Sequence, residues 1–193
     1  MIGRTGAFLL SYHSSLMPVR LQAKGKETGM KVLGIDPGLA TMGWGVVENE
    51  GSRVRFVAAG ALITRPEESL PERLLSIFTG TRDLLTLYRP DEIAFEELFF
   101  AKNITTGIAV GHARGCTLCA CAEYGRPMYE YTPMQIKQSV TGYGKADKHQ
   151  MQHMVRLLLG LDDIIRPDDA ADAVAAALTH IQAGRLKEQY LMK

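Results

Sequence analysis

Cysteine is scarce in this chain: three residues in 193, all between positions 116 and 121. That number and crowding exclude the disulfide framework by which small secreted domains are held together. Long apolar runs are missing as well. None approaches the roughly 20 residues that cross a bilayer, and the apolar run Ala7–Leu10 is too short for a secretory signal. Internal repeats and low-complexity segments are absent. Net charge is nearly absent too, with 22 Lys and Arg against 21 Asp and Glu. What remains is an ordinary globular composition, 46% hydrophobic and 22% charged, long enough for one domain with a proper core. The expected location is the cytoplasm.

The near-neutral total hides an asymmetry. Residues 1–29 hold Arg4, Arg20, Lys24 and Lys26 against Glu27 alone, which leaves the remainder slightly acidic. An acidic body does not exclude a nucleic-acid partner, because clustered metal-binding carboxylates lower net charge without removing a local basic patch. The first 29 residues carry no sustained period. They are expected to lie outside the fold, as an over-extended start ahead of Met30 or a flexible arm with some of the basic, acid-poor character of a transit peptide. A single domain is expected over 30–185, followed by a polar tail, 186–193, that frays.

The stretch around which the rest is organised is Lys31-Val32-Leu33-Gly34-Ile35-Asp36-Pro37-Gly38. Its apolar, β-prone residues predict a buried strand. Pro37 and Gly38 break that strand's pairing, and Met42 to Val47 predicts its hairpin partner. A carboxylate buried in a sheet is costly unless it is paired or binds a metal, so Asp36 calls for a cation.

A third strand is expected over Arg53–Ile63. Ser69 and Glu72 form a capping box for a helix from Leu70, with Leu74, Leu75, Phe78, Leu84, Leu85 and Tyr88 as its apolar face. Glu92–Phe95 predicts a short strand that delivers Glu96 and Glu97. Asn103–Tyr124 predicts a long helix of small residues, and Met128–Tyr131 a last strand. Helices follow after Pro133 and over Lys148–Leu159 and Asp168–Ala183. The order implies an α/β fold, a mixed five-stranded sheet flanked by helices.

Four acids fall where these elements can gather them: Asp36 on the first strand, Glu96 at the end of the fourth, and Asp169 and Asp172 on one face of the last helix. Crowded carboxylates repel one another unless cations lie between them. Hard divalent ions such as Mg²⁺ suit such oxygen ligands, and two of them clamp the attacking and leaving oxygens of a phosphoryl displacement. Each acid also has a plainer reading. Asp168, Asp169 and Asp172 suit a helix N-terminus by its dipole alone, and Glu96 and Glu97 suit an exposed strand end. Cys116, Cys119 and Cys121 lack a nearby fourth ligand and are expected to be buried structural residues. Trp44 is expected in the core, and His112, His153 and His180 as satisfied polar groups on helices.

The motifs Gly34-Ile35-Asp36-Pro37-Gly38, Phe95-Glu96-Glu97-Leu98-Phe99, Ala101-Lys102-Asn103, Ala113-Arg114-Gly115, Gln135-Ile136-Lys137-Gln138, Gln152-His153-Met154-Val155 and Asp169-Ala170-Ala171-Asp172-Ala173 occur in order over residues 30–181. Together they resemble the RuvC family of Holliday-junction resolvases. The resemblance implies a ribonuclease-H-like fold, a homodimer, and Mg²⁺-dependent cutting of four-way DNA junctions, with two ions per site and Mn²⁺ as a possible substitute. It implies paired nicks that leave 5′-phosphate and 3′-hydroxyl ends, in recombination and repair, alongside a branch-migration motor (RuvA and RuvB).

By resemblance, Asp36, Glu96, Asp169 and Asp172 match the metal-binding acids. Lys137 and Lys148 match lysines near the cut phosphate, and Phe99 an aromatic that stacks on junction bases. Lys102, Asn103, Arg114 and Lys145 are further candidate DNA contacts. A lysine beside the scissile phosphate stabilises developing charge. For Lys145 a solvated helix end is the equal alternative. On the residues alone Phe99 and Phe100 at a strand end read as core; the resemblance makes Phe99 the stacker, and Phe100 stays open. An actin-like ATPase would need a second glycine-rich phosphate loop and a longer chain. A non-catalytic junction binder would be expected to lack one of the four acids.

Overall fold

A computed structural model describes residues 29–98 and 104–193, with side chains from 107 onward in the second part. The expectations for residues 1–28 and for Phe99, Phe100, Lys102 and Asn103 lie outside the described residues. Five strands form one sheet: β1 (Met30–Asp36), β2 (Thr41–Asn49), β3 (Val54–Ile63), β4 (Glu92–Glu96) and β5 (Met128–Tyr131). Their order across the sheet is β3-β2-β1-β4-β5. The first three strands are antiparallel neighbours, whereas β1–β4 and β4–β5 are parallel. The helices are α1 (Leu70–Tyr88), α2 (Ile104–Tyr124), α3 (Pro133–Thr141), α4 (Lys148–Leu159) and α5 (Asp168–Ala183).

The sheet separates two cores, and strand alternation decides which residue enters which. Leu33 and Ile35 of β1, Met42 and Trp44 of β2, and Ile93 and Phe95 of β4 face α1 and α2. Val32, Ala94, Tyr129 and Tyr131 face α3, α4 and α5. Asp36 and Glu96 continue the second set by the same two-residue period, so both project on the α5 side.

Alanine dominates α5, and glycines lie opposite it. A β-carbon on Gly34 would meet the Ala173 carbonyl oxygen at 1.9 Å, and one on Gly45 would meet Val174 Cγ2 at 2.2 Å. The helix therefore lies directly on the backbone of β1 and β2. Small residues on both partners make that approach feasible, and dense packing then fixes it.

Three expectations need correction. On α1, Leu84 and Leu85 are buried and Leu74 and Tyr88 pack on the core as expected, and Ile77 and Thr81 join the same stripe fully buried. Leu75, however, is 49% exposed and borders an open groove beside α2. Of the cysteines, Cys121 is buried, with burial pushing its thiol up to about 12, but Cys116 is only partly buried and Cys119 is exposed. The face of α2 that carries Cys119 borders that same groove. The C-terminal segment is not an irregular tail. It forms a 3-10 helix, Gly184–Tyr190, and Leu191 bridges to Tyr129 of β5. Tyr190 packs on Tyr131 with ring centres 4.8 Å apart, and Lys187 pairs with Glu92.

Trp44 is in the core as expected, 3% exposed. His180 is buried and satisfied: Tyr131 Oη lies 2.8 Å from its Nδ1 and Glu92 Oε2 lies 2.6 Å from its Nε2. Among the described residues no helix is long and apolar enough to cross a membrane.

Candidate active site

The site begins with two parallel strands ending side by side. Ile35 of β1 is in register with Phe95 of β4, so the next residues along, Asp36 and Glu96, emerge together from the C-terminal edge of the sheet. This is where open α/β sheets place their ligands. Asp36 ends β1 because Pro37 cannot donate to the ladder. Glu97 N–H donates to the Tyr131 carbonyl at 2.8 Å, which ties the end of β4 to β5 just past Glu96.

Helix α5 brings the other two acids. Asp169 and Asp172 lie in its first turns, and the glycines of β1 and β2 let those turns descend onto the sheet. Asp36 and Glu96 record the crowding. Burial first, then the charges of Asp172 and Asp169, push Asp36 up to about 7. Burial first, then Asp36 and Asp172, push Glu96 up to about 8. Asp172 is also raised, by burial foremost. Burial and neighbouring charge, rather than hydrogen bonding, act on Asp36 and Glu96.

Two lysines answer this charge. Lys137 of α3 and Lys148 of α4 line a cleft of about 250 Å³ with Glu96, Asp172, Pro133, Ile136 and Met151. Thr132 and Gln135 form a capping box that starts α3, and Asp147 with Gln150 does the same for α4. Each helix thus presents its lysine from a fixed turn. Lys148 Nζ lies 3.4 Å from Asp168 Oδ2 and 3.5 Å from Asp172 Oδ2. Burial lowers the pKa of Lys148, but Asp172 and Asp168 outweigh it and hold the ammonium above its ordinary value. Lys145 is exposed on the loop that leads into α4.

Arg114, an expected DNA contact, is turned inward. Its side chain is 13% exposed and pairs with Glu130 of β5. Nη1 donates to the Glu96 carbonyl at 3.1 Å, and the guanidinium lies 5.4 Å from the Phe95 ring centre. It braces the strand end that carries Glu96. Sequence reasoning missed this brace and the involvement of Asp168. Arg114 on α2 and Glu130 on β5 lie on separate elements, so no local spacing announces their pairing.

The comparisons with known proteins identify the family and the fold. The family model described as crossover junction endodeoxyribonuclease RuvC matches residues 32–180. The chain belongs to the RuvC family. The protein of that description from Chloroflexus aggregans is 56% identical over 151 residues, 78% of this chain and 92% of the relative. The one from Rubrobacter xylanophilus is 53% identical over 162 residues, 84% and 90% of the two chains. The Thermus thermophilus RuvC solved in complex with a Holliday junction substrate superposes with a TM-score of 0.76 at 37% identity, over 84% of this chain and 99% of that one. A yeast mitochondrial resolvase at 16% identity, TM-score 0.58, shares the fold. The mixed five-stranded sheet flanked by helices is the RuvC, ribonuclease-H-like arrangement.

The donor set of this RuvC-family site suits a hard divalent cation: carboxylate oxygens only, partly buried, and under mutual repulsion that a cation would relieve. Among the described residues, no three His, Cys, Asp or Glu side chains are drawn tightly enough to grip a single ion by themselves. Mg²⁺ does not need three, since it keeps several waters and takes one or two carboxylates with substrate phosphate.

Proposed function

We propose that this RuvC-family chain is a structure-selective endonuclease that resolves four-way DNA junctions by paired symmetric nicks in strands of like polarity. It acts in the cytoplasm, in homologous recombination and repair. The observation that carries the reading is the convergence of Asp36, Glu96 and Asp172 with Lys137 and Lys148 at one edge of the sheet. The names of its relatives and the junction-bound Thermus thermophilus structure support the substrate.

In this reading Asp36, Glu96, Asp169 and Asp172 hold two Mg²⁺ ions, for which Mn²⁺ substitutes. Bound there, the ions supply the Lewis acidity that activates a water near neutral pH and offsets charge on the leaving oxygen. The chain's own residues do the rest. Lys137 and Lys148 place positive charge where the phosphate gains negative charge. Ile136 and Met151 form an apolar floor that restricts water. Water attacks phosphorus in line, the bond to the sugar 3′ oxygen breaks, and that oxygen takes a proton. The products carry 5′-phosphate and 3′-hydroxyl ends and can be religated.

Two matched cuts require two matched sites, which a two-fold homodimer supplies. The groove of about 600 Å³ between α1 and α2, lined by Leu74, Leu75, Phe78, His112, Cys116 and Cys119, is an apolar surface of the kind such contacts bury. Phe99 stacks on junction bases, Lys102, Asn103 and Lys145 contact the backbone, and the RuvA and RuvB motor works alongside.

The test is a substrate panel: a labelled four-way junction, a linear duplex of the same sequence and an RNA–DNA hybrid, each with Mg²⁺. Selective junction nicking with religatable ends is expected. Binding without cutting would favour a junction binder, and preferential hybrid cutting a ribonuclease.

A further inference from the structure

Helices α4 and α5 meet through a square of four side chains. Lys148 and Gln152 are one turn apart on α4, and Asp168 and Asp172 are one turn apart on α5, so each pair shares a face. Gln152 is 3% exposed, and its Nε2 donates to Asp168 Oδ1 at 2.8 Å. Arg166 Nη1 donates to the same oxygen at 2.5 Å. The other oxygen, Oδ2, faces Lys148 Nζ.

We propose that Asp168 is a positioning residue for cleavage: locked by Gln152 and Arg166, its carboxylate holds the Lys148 ammonium at the rim of the acid centre. This rests on the reading of Lys148 as the lysine beside the scissile phosphate. Asp168 stands outside the acid centre itself. The charge of Asp172 raises both Asp36 and Glu96, whereas the contacts of Asp168 are to Gln152, Arg166 and Lys148. A lysine has a flexible four-carbon stem and three rotatable donors, so a single partner leaves its head free to swing. Asp172 has a second use in the proposed chemistry. The anchor left to hold the lysine throughout is Asp168, and its own orientation is set from the buried side by Gln152.

The alternative is that Asp168 merely suits the start of a helix. A double-mutant cycle separates the two. Full-length wild type, Asp168→Asn, Asp168→Glu, Lys148→Met and the Asn/Met double variant are compared on a labelled four-way junction. Single-turnover cleavage is measured with Mg²⁺, junction affinity with Ca²⁺, and folding by thermal melting. Lys148→Met is expected to slow cleavage about 100-fold. Asp168→Asn keeps the shape and a hydrogen bond to Gln152, and is expected to slow cleavage on the order of tenfold with affinity unchanged and the melting midpoint lowered by no more than about 4 °C. Asp168→Glu, which restores the charge, recovers most of that loss. In the Lys148→Met background, Asp168→Asn has no further effect.

Wild-type rates in Asp168→Asn would overturn the proposal, as would an equal slowing whether or not Lys148 is present. Wild-type rates in Lys148→Met would remove the lysine's role and this inference with it, leaving the nuclease reading intact. A wild type that makes no junction nicks would overturn the nuclease reading itself.

Discussion

A β-carbon on Gly43 would lie 2.0 Å from the backbone carbonyl oxygen of Asp169. No side-chain rotation relieves a clash with backbone, so α5 must lift wherever Gly43 is replaced. Gly43→Ala is therefore expected to displace Asp169 and Asp172 from Asp36. Cleavage should fall at least about 100-fold, while overpacking costs about 1–3 kcal/mol and lowers the melting midpoint by roughly 5 °C. Kinetics and melting on the same sample check this; an active Gly43→Ala would mean that α5 does not set the acid geometry.

Asp36 and Glu96 make a prediction about pH. Their pKa values rise from 3.8 to about 7 and from 4.5 to about 8 on folding. Between those limits the folded chain holds protons that the unfolded chain has lost, so stability falls as pH rises from about 4 to about 8. In chelator, wild type should melt lower at pH 8 than at pH 5.5. Asp36→Asn, which removes one buried charge, should flatten that dependence and melt higher than wild type at pH 8 by at least about 3 °C. Mg²⁺ should raise the wild-type midpoint at pH 8 and do little for the variant. Scanning calorimetry across pH, with and without Mg²⁺, reads all three.

Arg114 distinguishes bracing from DNA contact. As a brace for the end of β4, its replacement by Met should leave junction affinity and its salt dependence near wild type while cleavage drops about 10- to 100-fold. A phosphate contact would instead weaken binding and lower the salt slope by about one. Affinity titrations at several salt concentrations, run beside single-turnover cleavage, separate these outcomes.

The C-terminal 3-10 helix should contribute to stability. Removing residues after Gly184 takes away the Lys187–Glu92 pair, the Tyr190–Tyr131 packing and the Leu191 bridge. The truncated chain is expected to melt at least about 4 °C lower. An unchanged midpoint would restore the frayed tail that its polar sequence suggests.

These cases also show where the sequence is legible. The strands and the Ser69–Glu72 capping box follow from local period and spacing, because each signal lies within a few residues, whereas the gathering of Asp36, Glu96, Asp169 and Asp172 is implied by the ordered motifs shared with the RuvC family. Arg114, Asp168 and Lys187 are different. Their partners are Glu130, Lys148 and Glu92, on other elements, and only the assembled sheet and helices decide whether a charged side chain turns inward. Leu75 is similar: its spacing puts it on the apolar face of α1, and the groove beside α2 leaves it open. The tail reads as polar by composition, yet Tyr190 packs on Tyr131 and Leu191 bridges to Tyr129 of β5.

The most direct test of the central claim is the mapping of cut positions on a labelled four-way junction in Mg²⁺, by wild type and Asp36→Asn. The account predicts paired, symmetric, religatable nicks from wild type and none from the variant, with the variant still binding the junction. Wild-type nicks that are unpaired, or that persist in Asp36→Asn, would contradict it.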